Sequence, residues 1–215
     1  MRTRGVARVG HVGTDDAAAR AIPRGESGAH GGAAQAAWDL YWVTPVSIVV
    51  VTGASGAGKT AAVSALEKRA LPGVACFYFD SIGVPTPEAM ERDHGGGERW
   101  QAQATNAWLA RLATLGNGIR VAVLDAQTRP STVFAAAGAG TSWRAEVVLF
   151  DCSPDVRTAR LHGPRGQPEL VTASMDSWAA YLRGQADALG LPIVDTTELT
   201  IEEATDRLEA IVQSL

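Results

Sequence analysis

From residue 47 onward the chain alternates short apolar runs with longer stretches whose apolar positions recur every three to four residues. The run Ile48-Val49-Val50-Val51 is short, β-branched and uninterrupted by polar residues, which predicts a buried strand. Four further runs read as strands: "VACFYFD" (Val74–Asp80), "IRVAVLD" (Ile119–Asp125), "AEVVLFD" (Ala145–Asp151) and "LPIVD" (Leu191–Asp195). Between them lie helical patterns. Ala61, Ala62, Val63, Ala65 and Leu66 continue as a helix after the first strand, and Glu98–Leu115 form another. Ser153–Leu161 is short, with Pro154 in its first turn, and Thr172–Leu189 ends at Gly190. Ile201–Leu215 places Ile201, Ala204, Leu208 and Ile211 on one face. Such alternation predicts an α/β fold, with a parallel sheet covered by helices on both faces. Ligands of such sheets bind beyond the carboxyl ends of the strands.

The first 45 residues break this pattern. Residues 1–37 are rich in Ala, Gly and Arg and hold few large apolar side chains, so they read as a disordered tail unable to offset its ordering entropy. A targeting peptide fits less well, because Asp15, Asp16 and Glu26 sit among the arginines, and a later translation start near Val46 is also compatible. Trp38, Leu40, Tyr41, Trp42 and Val43 form a small apolar patch suited to docking on the domain that follows, residues 46–215.

Composition narrows the class. The 215 residues are 46% hydrophobic, enough for a globular core, and the net charge of −4 gives no pull toward nucleic acid or an anionic membrane. The two cysteines, Cys76 and Cys152, sit at or beside strand runs and read as reduced thiols of a cytoplasmic protein. There is no apolar run long enough for a membrane span and no secretory h-region. The expected partner is a small molecule, with the protein a monomer or homodimer.

The sharpest chemical signal follows the first strand. Gly53-Ala54-Ser55-Gly56-Ala57-Gly58-Lys59-Thr60 fits the Walker A spacing in full, between a strand and a helix. Glycines let successive backbone N–H groups turn inward, and the helix N-terminus adds partial positive charge. Lys59 is expected on the β- and γ-phosphates and the Thr60 hydroxyl on Mg²⁺. Only one other lysine, Lys68, occurs in the chain, so the match is specific.

The second, third and fourth strand runs end in acids, Asp80, Asp125 and Asp151. Asp125 follows an apolar run in Walker B form and is expected to serve the metal. Asp80 is the candidate base for an acceptor hydroxyl, the bland alternative being a helix cap. Asp151 reads as a turn residue. Positive charge gathers in "DVRTARLHGPRGQPEL", where Arg157 and Arg160 share a helix face and Arg165 stands in a Gly-Pro-rich loop. Arg157 is expected on the nucleotide, and Arg160 and Arg165 over the transferring phosphoryl group. Arg129, four residues after Asp125, is a candidate for the acceptor. His94 and His162 read as loop histidines, and no Cys/His spacing suits structural zinc.

With these residues in place, Ser47–Leu215, about four-fifths of the chain, resembles the P-loop kinases of the nucleoside monophosphate kinase-like group. That group includes adenylate, shikimate, gluconate and adenylylsulfate kinases, chloramphenicol phosphotransferase and zeta toxins. The resemblance rests on "GASGAGKT", the acid in "FYFDS", "VLDAQTR", the arginine-bearing "DVRTARLHGPRGQPEL" and the terminal "LPIVDTTELTIEEATDRLEAI". It implies a three-layer P-loop NTPase fold with strand order 2-3-1-4-5, and transfer of the ATP γ-phosphate to a small acceptor with Mg²⁺. It further implies a lid at about 162–171, an acceptor-binding insertion at about 83–115 and an adenine site beside the loop before the last helix. The adenylate kinase run Asp-Gly-x-Pro-Arg is replaced by "DAQTR", and the Asp-x-Asp pair of shikimate kinases is missing after the second strand. A lone Asp80 is closer to the hydroxyl-phosphorylating members. Two other readings stand beside this one: a nucleoside monophosphate kinase with Arg129 on the acceptor phosphate, and a non-catalytic ATP-binding module.

Overall fold

The valine-rich run forms β1 (Ser47–Thr52), and it lies at the centre of the sheet because both of its faces are covered. Its neighbours are β3 (Val121–Asp125) and β4 (Arg144–Asp151), both parallel to it. β2 (Val74–Tyr78) pairs with β3 and β5 (Ile193–Asp195) with β4, giving the order β2-β3-β1-β4-β5. This computed structural model describes residues 45–116, 118–138 and 143–215, so the expected tail at residues 1–44 lies outside the described residues.

Seven helices occur among the described residues: α1 (Lys59–Lys68), α2 (Pro87–His94), α3 (Gly97–Ala113), α4 (Pro130–Ala137), α5 (Pro154–His162), α6 (Ala173–Leu189) and α7 (Ile201–Gln213). The two-residue period of β1 divides the core. Val49 and Val51 face one side with Val63 and Leu66 of α1 and Leu208 and Val212 of α7. Ile48 and Val50 face the other with Trp108, Leu109 and Leu112 of α3 and Val133 of α4. The first turn of α7 is closed by a capping box in which the Thr200 hydroxyl accepts from Glu203 N and the Glu203 carboxylate accepts from Thr200 N. No helix among the described residues is long and apolar enough to cross a membrane.

All five predicted strands are present, with one informative difference. β2 stops at Tyr78, two residues short of the apolar run, and Phe79–Ile82 turn into a 3₁₀ helix. Two further helices, α2 and α4, are short and bury little, none of the residues of α2 and only Pro130 and Val133 of α4. Their signals are polar ones. Thr86 caps α2, its hydroxyl accepting from Ala89 N at 3.3 Å, and a proline opens each helix. His94 thereby closes α2, where its Nδ1 meets Gln103 Oε1 at 2.7 Å, and is not a loop residue.

Both thiols are free. Burial pushes the Cys76 thiol up to about 11 and raises that of Cys152 as well. Little thiolate is therefore present at pH 8, and neither cysteine is expected to react quickly with a disulfide reagent such as DTNB in the native protein. Titration under native conditions should show no fast thiol, against two after denaturation. A rapid native equivalent would place one of them at the surface.

Candidate active site

The register of the sheet levels the carboxyl ends of three strands. Val51 of β1 and Tyr78 of β2 both lie opposite Asp125 of β3. The loops that follow β1, β2 and β3 therefore leave the sheet together, and they carry Gly53–Gly58, Asp80 and Gln127 respectively.

The glycines are required by close approach. At Gly53 the backbone passes so near β4 that a Cβ would stand 2.1 Å from the Phe150 carbonyl oxygen. At Gly56, with φ +86°, a Cβ would meet the Arg157 side chain at 2.9 Å. Gly58 occupies the left-handed region with φ 92° as the N-cap of α1, and no side chain caps that helix. Its first-turn amides thus point into the loop with no side-chain acceptor, which suits an anion. Gly53→Ala must shift backbone rather than a flexible side chain. It is expected to lower stability by about 1–3 kcal/mol and to abolish nucleotide binding, as read by thermal melting and ATP titration. An alanine variant that binds ATP normally would show the loop tolerates that displacement.

Lys59 is buried and its Nζ donates to the carbonyls of Gly53 at 2.7 Å and Ala54 at 3.1 Å. Burial lowers its pKa, and the Arg165 charge works in the same direction, while the carboxylates of Asp125 and Asp80 oppose. The ammonium is thus held in a site where a polyanion would be a better partner than two carbonyls. Thr60 Oγ1 donates to Asp125 Oδ2 at 2.6 Å, so a hydroxyl and a carboxylate oxygen are adjacent at the mouth of the loop. This donor pair fits a magnesium ion that takes its remaining ligands from phosphate and water. No cluster of three or more acidic, His or Cys ligands occurs among the described residues.

Two cavities flank the loop. One, of about 220 Å³, is lined by Ser55, Lys59, Thr60, Tyr78, Phe79, Asp80, Asp125, Ala126, Gln127 and Arg165. The other, of about 310 Å³ and more apolar, lies between the loop and the start of α7, against Ala61, Arg160, Pro164, Leu199 and Ile201. Thr60 and Arg165 line both. Asp80 belongs to the first alone. It stands exposed on the 3₁₀ turn, whose position is fixed by Phe79. That ring is buried edge-on against Trp100 at 5.9 Å, and its carbonyl accepts from Trp108 Nε1 at 3.2 Å.

The arginines divide. Arg160 donates through Nη1 to Thr196 Oγ1 at 2.9 Å and through Nη2 to Thr196 O at 2.7 Å, on the wall of the second cavity. Arg165 is exposed in the loop after α5 and bonds to Gln167. Arg157, expected on the nucleotide, lines neither cavity. It is 4% exposed, packs beneath Gly56 and pairs with Asp176 of α6, so it braces the loop from behind. Arg129 also departs from expectation, since it does not line the cleft. Its Nη1 donates to Gln101 Oε1 at 2.6 Å, and its guanidinium lies 5.0 Å over the Trp178 ring.

Sequence reasoning passed over a set of neutral residues that fix the loop after β3. Thr52 Oγ1 donates to Thr128 O at 2.6 Å, Thr128 Oγ1 meets Thr105 Oγ1 at 2.7 Å, and Gln101 Nε2 donates to Gln127 O at 2.6 Å. Ser55 Oγ donates to Gln127 Oε1 at 3.2 Å, which ties the glycine loop to the same network. The only sequence signal is three adjacent polar residues, Gln127-Thr128-Arg129, one residue beyond an acid-ended strand.

No protein-family model matches the chain, and no curated protein matches it. Solved structures do. A shikimate kinase from Acinetobacter baumannii in complex with shikimate matches with a TM-score of 0.54 at 15% identity, over 79% of this chain and 94% of that one. A tunicamycin resistance protein from Deinococcus radiodurans gives 0.53 at 19%, over 78% and 95%. A gluconokinase from Sinorhizobium meliloti 1021 gives 0.51 at 20%, over 80% and 98%. The sheet order and these neighbours together show the fold: a five-stranded parallel sheet of order 2-3-1-4-5 with helices on both faces, the fold also seen in the shikimate kinase and the gluconokinase.

Proposed function

We propose that the protein is an ATP-dependent kinase that transfers the γ-phosphate to a hydroxyl of a small molecule. The observation that carries this reading is the pair of cavities meeting at the glycine loop, with Thr60 and Arg165 common to both and Asp80 on one side only. A nucleotide in the larger cavity would direct its terminal phosphate toward the smaller one, where the acceptor waits beside a carboxylate. The likeness in fold to a shikimate kinase and a gluconokinase supports a small-molecule acceptor.

The chemistry follows from charge and position. The acceptor oxygen attacks the γ-phosphorus, the bond from that phosphorus to the β,γ-bridging oxygen breaks, and ADP leaves. The acceptor proton passes to the Asp80 carboxylate. Lys59 and the open amides of α1 hold the β- and γ-phosphates, and Arg165, with Arg160 behind it, offsets charge on the transferring group. Thr60 and Asp125 would hold Mg²⁺, which neutralises phosphate charge when bound. Little covalent work falls to the protein; positioning and electrostatics dominate.

A coupled ADP-release assay tests this, run with ATP and Mg²⁺ over nucleoside monophosphates, sugars, shikimate-like acids and aminoglycoside or phenicol antibiotics. ADP release that depends on one hydroxyl acceptor and stops on chelation with EDTA is the expected result. Tight ATP binding with no acceptor-dependent ADP would favour the regulatory module.

A further inference from the structure

Few cations line the acceptor cleft. Lys59 and Arg165 are the two that line it. Lys59 is buried at the loop carbonyls and Arg165 also faces the nucleotide cavity, so both serve the transferring phosphate. Arg129, the next candidate, is already engaged. Its Nη1 is on Gln101, its Nη2 is 3.3 Å from Glu98 Oε2, and its guanidinium stacks over Trp178 at 5.0 Å and Tyr181 at 5.8 Å. From Asp80 to Asp93 the chain holds four carboxylates and one arginine, Arg92, which pairs with Asp93.

What remains on that wall is neutral. The Ser55 hydroxyl and the Gln127 amide supply hydrogen bonds, and Phe79 supplies an apolar surface. Ile82 and Val84, just beyond Asp80 in the chain, are 48% and 54% exposed. A carboxylate or phosphate brought here would meet Asp80 and Asp125, and no lining cation besides Lys59 and Arg165 would pair with it; like charges at short range repel.

We infer that the acceptor is an uncharged, hydroxyl-bearing compound, recognised by neutral polar and apolar groups and not by a clamp on a carboxylate or phosphate. This rests on the kinase reading above and narrows its substrate class. Gln127 is the residue that sets the preference, because its side chain faces the cleft and is held by the glycine loop through Ser55.

The test uses matched acceptors that differ by one ionised group: an aldose and its aldonic acid, a cyclitol and a cyclic polyhydroxy acid, an aryl diol and an aryl hydroxy acid. ATP-dependent phosphorylation of each is followed by phosphorus NMR for the wild type and for Gln127→Arg, with ATP binding measured in parallel. Within the pair that is turned over, wild type is expected to favour the neutral member by about 100-fold or more in kcat/KM, and Gln127→Arg to narrow that ratio at least about tenfold. Phosphorylation of the anionic member at an equal or higher rate overturns the inference and leaves the kinase reading intact. ATP binding with no phosphorylation of any member overturns the kinase reading and this inference with it. If Gln127→Arg loses ATP binding, the wild-type ratio decides alone.

Discussion

Replacing Lys59 with methionine is expected to reduce ATP-dependent phosphotransfer on the order of a thousandfold while leaving thermal stability unchanged or slightly higher. The two effects have separate causes. The ammonium is the cation buried inside the glycine loop, and its loss removes charge stabilisation where negative charge moves from γ- to bridging oxygen. The folded protein, however, holds that ammonium with its pKa depressed by burial, which marks the charged form as desolvated at a cost. Methionine keeps the unbranched stem in the same space and removes the desolvated charge, against the loss of two hydrogen bonds to carbonyls. Kinetics and a melting curve on one preparation check both halves. A variant that melts far below wild type would identify Lys59 as a structural tie and make its kinetic defect uninformative.

Asp80→Asn is the second large effect. Asparagine keeps the shape and cannot accept the acceptor proton, so kcat should fall by about 10²- to 10⁴-fold. ATP affinity should hold, because Asp80 lines the smaller cavity and not the larger one proposed for the nucleotide. Stability should hold as well, since the side chain is exposed and the turn beneath it is fixed by Phe79 and Trp108. The split between kcat and ATP binding is the readout. An unchanged kcat would remove the base from this position and favour a phosphate acceptor, which needs none.

Why some of this was legible in the sequence and some was not is a matter of locality. β1 and β3 are buried on both faces, so an unbroken apolar run marks them. The glycine loop carries its own chemistry at fixed spacing. Gly53 and Gly56 sit where β4 and Arg157 leave no room for a Cβ, and that crowding is built by distant residues, yet it leaves a local trace as glycine. Asp125 follows from its strand, and the bond from Thr60 joins the two motifs. Arg157 reads as available because its partner, Asp176, is nineteen residues away on another helix, and a one-dimensional charge pattern shows the arginine without the acid. Arg129 likewise looks available until Gln101 and Trp178 are folded against it. The helices α2 and α4 are eight residues each and bury little, and a capping threonine and two prolines announce them.

The fate of the γ-phosphate tests the central claim most directly. The protein is incubated with γ-³²P-labelled ATP, Mg²⁺ and a pool of hydroxyl compounds, and the products are separated. Label on an organic phosphate ester, absent with Lys59→Met and strongly reduced with Asp80→Asn, is the predicted result. Label that remains in ATP although the nucleotide is bound, or appears only as inorganic phosphate, would contradict a kinase acting on a small-molecule hydroxyl.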